Sequence, residues 1–220
     1  YHTVLYGMGV CYVLQDKFEE AIEFFKKALD IFPYLTEAHF NMGMAYMKLG
    51  DIAGVVRGLR EVIRVGGREE LVSEAKRRLD DLERTVMKLN GFSLDTYLNN
   101  IETFDKAFAA LQNREFISAI NLFKRVLTTD PKHVQSWGNL GLAYASSGER
   151  GKALECLDKA LELDPEYEIA AVNRVAIEQL SEGERLEGKM ESVDYYRDYK
   201  VKGKKSYIAE TIGNLFKKGA

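Results

Sequence analysis

The sequence predicts an all-α protein built from stacked helix pairs, and three observations carry that expectation. Apolar residues recur at i, i+3 and i+4 over most of the first 180 positions, the spacing of one face of a helix. Only three prolines interrupt 220 residues, and alternating β-branched runs are few. The chain also resembles itself at a spacing of 34 residues, which predicts a repeat architecture in which each unit buries its apolar face on the next.

The best-formed unit lies at 137–165. Trp137, Leu140, Gly141 and Tyr144 are followed by Ala153, Leu157, Ala160 and Pro165. The first four place an apolar face and a close-approach glycine on one helix. The next three answer on a second helix, which the proline ends. Leu5, Met8, Gly9 and Tyr12, then Ala21, Phe25, Ala28 and Pro33, repeat this order from the start of the chain. A second unit follows 34 residues on, with His39, Met42, Gly43 and Tyr46, a Gly50-Asp51 turn, and Val55, Leu59 and Val62. Gly67 stands there in place of proline. Gly54 and Gly58, at about 1 kcal/mol each against alanine, make this second helix the least regular one expected.

The repeat phase then breaks. Leu71, Val72, Ala75, Leu79, Leu82, Val86 and Leu89 predict one helix over 69–89, about 30 Å long, closed by Asn90-Gly91. A helix from Leu94 to Gln112, with Ser93 or Asp95 as cap, carries Ile101, Phe104, Phe108 and Leu111 on one side. Phe116, Ala119, Phe123, Val126 and Pro131 supply its partner. After the 137–165 unit, residues 167–180 predict a capping helix through Ile169, Val172, Val175, Ala176 and Leu180. The expected organisation is therefore two repeat units at 1–66, a connecting and capping helix at 67–92, a degenerate and a well-formed unit at 93–165, a cap at 166–180, and a tail at 181–220. That makes two blocks, each of two repeats and a cap, joined at 89–94.

The quoted residues resemble the tetratricopeptide repeat over 1–66 and about 94–180. The resemblance implies an α-α superhelix, a solenoid whose first helices line a concave groove that takes an extended or helical segment of another protein. It places Tyr6, Val10, Phe40, Asn41, Met44, Met47 and Lys48 on the first block's groove, with Gly7 beside them. Gly138, Asn139, Leu142, Ala145 and Ser146 take the second block's groove, and Asn173 occupies the position one repeat after Asn139. The first groove is expected to be apolar and aromatic, with methionine as an adaptable contact, and the second smaller and more polar. An Asn amide both donates to and accepts from a peptide backbone, which suits sequence-tolerant binding, although Asn is also commonplace there in the family. The subtype that clamps acidic chaperone tails needs Lys and Asn where this chain has Tyr6 and Val10, so that specialisation is not expected.

No catalytic residues, metal ligands or cofactor are expected. His2, His39 and His133 show no ligand spacing, and Gly7-x-Gly9 lacks the third glycine and strand of a dinucleotide loop. The adjacent acids Glu19-Glu20, Glu69-Glu70 and Asp80-Asp81 read as solvated helix faces. The leading expectation is a protein-interaction module. The alternatives are a self-associating scaffold and a regulatory part of a larger protein. A net charge of −3 offers nucleic acid no general attraction. Cys11 and Cys156 are expected as buried free thiols, in keeping with a reducing, cytoplasmic location. The chain begins at Tyr1 inside a helical pattern, and is expected to be a fragment or a processed chain. In the tail, Tyr195 to Lys205 interleaves tyrosine with basic residues, and Tyr207, Ile208, Ile212, Leu215 and Phe216 share one side of a short amphipathic segment. That segment needs a docking surface to be ordered, on this chain's own groove or a neighbour's. A linker and a nucleic-acid contact are the other readings of the tail.

Overall fold

A computed structural model describes residues 1–186. The expectations for the tyrosine-rich stretch and the amphipathic segment at 195–216 lie outside the described residues. The described chain contains ten α-helices and divides into two compact units after Leu94.

In the first unit, α1 (His2–Val13) pairs with α2 (Phe18–Ile31), α3 (Thr36–Leu49) pairs with α4 (Ile52–Val65), and α5 (Glu69–Asn90) packs against α4 and α3. Ala21, Phe25 and Ala28 on α2 are fully buried, as are Val55, Leu59 and Val62 on α4. Asp51 caps α4 by accepting the Gly54 N–H at 2.7 Å. Its carboxylate satisfies one of the donors that a helix start leaves without a partner.

Helix α4, expected to be the least regular, departs from that expectation. It is continuous from Ile52 to Val65, because its glycines are contact points. A Cβ on Gly58 would lie 2.9 Å from Gly43 Cα and from the His39 carbonyl oxygen. One on Gly54 would lie 2.3 Å from the Tyr46 ring. The two helices therefore cross nearly backbone to backbone, and the packing gained offsets the propensity lost. After α4, Gly66 (φ 75°) and Gly67 (φ 104°) turn the chain through left-handed backbone, which the fixed φ of proline does not permit. Thr36 Oγ1 donates to the Gly66 carbonyl at 2.6 Å and holds this turn.

Helix α5 buries Ala75, Leu82 and Val86, leaves Leu89 partly exposed, and ends on Gly91 at φ 79°. Its outer face carries ion pairs one turn apart, Glu74 with Arg77 and Arg78, and Asp81 with Arg77 and Arg84. Glu83 also accepts the Leu94 N–H at 3.0 Å.

The second unit contains α6 (Leu94–Gln112) from Asp95 onward, α7 (Phe116–Thr129), α8 (Val134–Ser147), α9 (Arg150–Leu163) and α10 (Glu168–Glu178). One continuous core joins Phe104, Phe123, Leu140, Leu142, Leu157 and Ile177. The rings of Phe104 and Phe123 meet edge to face with centroids 5.4 Å apart.

Two further expectations are corrected. Cys11 is exposed, because the described chain packs no helix on the outer face of α1; Val4 is 62% and Met8 40% exposed beside it. Cys156 is buried, and burial pushes its thiol up to about 12, with the Glu155 charge adding to the effect. Helix α10 buries Ala170, Asn173 and Ile177; of the expected stripe, Ile169 and Leu180 pack partly against the core, while Val172 and Val175 are 68% and 60% exposed. Arg174 at its edge pairs with Asp158 of α9 at 2.5 Å.

Candidate functional site

The first unit brings four of the proposed residues together. Val10 of α1 and Asn41, Met44 and Lys48 of α3 line one open cavity of about 190 Å³. Its other walls are Val13, Leu14, Phe18 and Ala45. The lining is built by periodicity: Val10, Val13 and Leu14 stand at i, i+3 and i+4 on α1, and Asn41, Met44, Ala45 and Lys48 at the same spacing on α3. Parallel stacking of first helices sets the two rows side by side. Phe18 closes the floor where α2 begins.

Tyr6 borders this cavity through Asn41, whose Nδ2 donates to the Tyr6 hydroxyl at 2.9 Å. That bond uses one amide hydrogen and leaves the other hydrogen and Oδ1 for a ligand. The Tyr6 ring also rests on Phe25, 5.8 Å between centroids. Burial raises the Tyr6 hydroxyl above the usual tyrosine range, the Glu37 charge adds to that, and the Asn41 bond opposes both. The group stays a neutral hydroxyl throughout the physiological range.

Phe40 and Met47 lie outside the cavity lining. Phe40 sits beneath the Arg78 guanidinium of α5, 5.8 Å from the ring centroid. Its aromatic face is engaged by α5. The residues that sequence reasoning missed are Val13, Leu14, Phe18 and Ala45. Continuing the i+3, i+4 rule one turn past Val10 and Asn41 would have found Val13, Leu14 and Ala45; Phe18 gave no such signal, since only the packing of α2 brings it there.

In the second unit the corresponding face is closed. Gly138 lies under the Tyr167 ring, where a Cβ would come 3.0 Å from the ring carbon. Asn139 and Leu142 are 1% and 2% exposed, and Ala145 is fully buried. Asn173 is 6% exposed.

One tether appears in both units. Trp137 Nε1 donates to the Pro131 carbonyl at 2.9 Å, and His39 Nε2 lies 2.8 Å from the Pro33 carbonyl. A carbonyl only accepts, so His39 carries its proton on Nε2. Histidine thus reproduces, at the equivalent position, the bond made by tryptophan. His133 caps α8 by accepting the Ser136 N–H on Nδ1 at 3.1 Å, and burial depresses its pKa to about 3.

Among the described residues no three His, Cys, Asp or Glu side chains are grouped to hold a metal ion, and no helix is long and apolar enough to cross a membrane.

A family comparison finds a repeat in each unit. A family profile described as tetratricopeptide repeat matches residues 2–35 and 134–167. Superkiller protein 3 of Saccharomyces cerevisiae is 35% identical over 79 residues, 36% of this chain and 5% of that protein. A TPR repeat-containing protein of Methanocaldococcus jannaschii is 22% identical over 157 residues, 71% of this chain and 25% of that protein. The chain thus spans at most a quarter of the length of these two relatives. Among solved structures, YrrB, described as a TPR protein with an unusual peptide-binding site, is 22% identical and has a TM-score of 0.42, with 78% of this chain and 90% of that chain covered. A thermophilic TPR protein of Thermus thermophilus is 17% identical, with a TM-score of 0.34 and coverage of 82% and 100%. The chain thus carries tetratricopeptide repeats at 2–35 and 134–167, one in each unit, with helix pairs stacked around them.

Proposed function

We propose that the first unit is a recognition surface that seats a short peptide or helical segment of a partner protein between α1 and α3. The observation that carries this reading is the open, mainly apolar cavity lined by Val10, Asn41, Met44 and Lys48. Its volume of about 190 Å³ is below the roughly 300–1,000 Å³ of small-molecule sites. It suits one protruding apolar side chain of a peptide better than an enclosed metabolite. Asn41 offers the peptide backbone a donor and an acceptor, and Lys48 at the rim favours an acidic neighbour to that side chain. Tyr6 braces the wall through its bond to Asn41, Phe40 and Met47 lie outside it, and Asn139 and Asn173 belong to a separate face. The family's role as a protein-interaction scaffold supports the same reading, and no catalytic residue is assigned.

The test is a pull-down with the full chain against the Met44→Asp variant, with bound proteins identified. Loss of the same partners with an unchanged helical spectrum is the expected result. Undiminished capture by the variant sinks the proposal. A second reading, self-association through α1, is favoured by the exposed Val4 and Met8. A dimer in sedimentation that Val4→Glu converts to monomer would establish it.

A further inference from the structure

The second unit carries a pocket of about 260 Å³ between α6 and α7, lined by Asn99, Asn100 and Thr103 on the first helix and Arg125, Thr128 and Thr129 on the second. All of these side chains are polar, and none is acidic. The spacing within each row is that of one helical face. The next repeat shows what this place holds elsewhere. Counting on by one repeat, Val134, Trp137 and Leu163 stand where Asn100, Thr103 and Thr129 stand here. Val134 and Trp137 pack against the unit's core. Threonine in place of the tryptophan ring leaves space between the helices.

The ionic pattern changes along with the volume. On α9, Lys159 pairs with Glu162 at 2.7 Å. The matching positions of α7 hold Arg125 and Thr128, so the cation remains and its carboxylate is gone. Among the described residues no acidic group pairs with Arg125, which is exposed at the rim. Asn100 lies on the floor, 2% exposed. Its Oδ1 accepts the Thr129 hydroxyl at 2.6 Å, and its Nδ2 has no acceptor among the described residues. A shielded amide without an acceptor is costly unless another group supplies one. Thr129 is exposed, and its hydroxyl also lies 3.0 Å from the Val126 carbonyl. It can turn from Asn100 to Val126 and keep a hydrogen bond, which opens the floor to a ligand.

We propose that this pocket binds a carboxylate, carried by a small organic acid or an acidic side chain, with the Arg125 guanidinium gripping its two oxygens from the rim and the amides of Asn99 and Asn100 donating to them from α6. One guanidinium balances one carboxylate in charge, and its planar fork matches the two oxygens. A phosphate dianion would keep uncompensated charge beside a single cation. The volume is the share of roughly nine liquid waters, which leaves room for a few carbons behind the carboxyl group. The threonine methyls and the Arg125 methylenes offer those carbons an apolar wall. The pocket belongs to a different unit from the cavity between α1 and α3 and rests on separate observations.

The test is nitrogen-15 NMR on the full chain, following the Arg125 Nε–H and the Asn100 side-chain amide during titration with acetate, glycolate, acetamide and inorganic phosphate. Acetate and glycolate should give saturating shifts. Acetamide, which has the shape of acetate without its charge, should bind at least about tenfold more weakly. Arg125→Gln should weaken glycolate binding by a similar factor. Thr128→Glu should do the same, because it restores on α7 the carboxylate that Glu162 provides on α9 and so builds in a competitor. Both positions are exposed, and the single tryptophan, Trp137, reports that the fold is kept. A tripeptide with blocked ends and a central glutamate separates the two sources: tighter binding than glycolate assigns the carboxylate to a protein partner, weaker binding to a free acid, and either upholds the site. No saturation with either acid or the tripeptide overturns the proposal, as do equal binding of acetamide, tighter binding of phosphate, or undiminished binding by Thr128→Glu.

Discussion

The two units carry the same pattern and present opposite inner faces. In the first, Val10, Asn41, Met44 and Lys48 surround an open cavity. In the second, Asn139, Leu142 and Ala145 are buried. The unit whose sequence follows the repeat pattern most closely is the closed one, and the unit with glycines inside its helix and a broken phase afterwards is the open one. Pattern quality reports how well helices pack within a unit. Whether the corresponding face is open depends on which neighbours pack on it, as Tyr167 does over Gly138 in the second unit.

The sharpest way to break this comparison is at the cavity between α1 and α3. Met44→Asp should lower peptide capture at least tenfold, because it places a charge against Val10, Val13 and Leu14. Leu142→Asp should leave capture by the first unit within twofold. Equal losses from the two variants would remove the distinction between the units.

The next largest effect is on packing. Gly58→Ala should cost about 2–4 kcal/mol, since its Cβ meets the Gly43 backbone, which cannot swing aside. Chemical denaturation followed by circular dichroism measures this. The same transition watched through Trp137, which lies in the second unit, tells whether the units unfold separately.

A pH dependence should separate the units further. The His133 pKa is about 3 in the fold against about 6.5 when unfolded, so the neutral ring is the folded form. Below pH 6.5 the unfolded chain takes up a proton that the folded chain refuses. Stability is therefore full above 6.5 and is lost as pH falls towards 3, by at most about 1.4 kcal/mol per pH unit. The denaturation midpoint read at Trp137 should fall between pH 7 and pH 5. His133→Asn, which keeps a capping oxygen, should flatten that slope; an unchanged slope refutes the assignment.

The tethers give a smaller effect. Trp137→Phe and His39→Phe each remove one ring N–H bond to a proline carbonyl and should cost about 0.5–1.5 kcal/mol. Smallest is Gly7→Ala. Beyond its chain neighbours and the backbone of its own helix, no heavy atom lies within 4 Å of an added Cβ. It should stabilise α1 by up to about 1 kcal/mol by thermal melt, and any clear loss would mean that something packs there.

Much of the fold was legible because helix formation leaves a local periodic record. The ends of α5 and α6 could be read from Gly91 and from the apolar rows of each helix. The cavity was half legible: Val10, Asn41, Met44 and Lys48 follow from offsets to Gly9 and Gly43. Phe40 and Met47 share those offsets yet lie outside it, because α5 brings Arg78 over Phe40. Cys11 and Val172 were misread for a related reason. An apolar position on a helix shows that the face can be buried, and burial needs a neighbour that the local pattern does not specify.

By itself, the sequence determined the helix pairs, their 34-residue period and the all-α class, since spacing, caps and turn residues act over a few positions. Only the tertiary structure decided that Gly54 and Gly58 are crossing points, that histidine can take the tether made elsewhere by tryptophan, and which groove is open. Each of these depends on two segments distant in sequence meeting at a few ångströms. Local periodicity carries no term for that meeting.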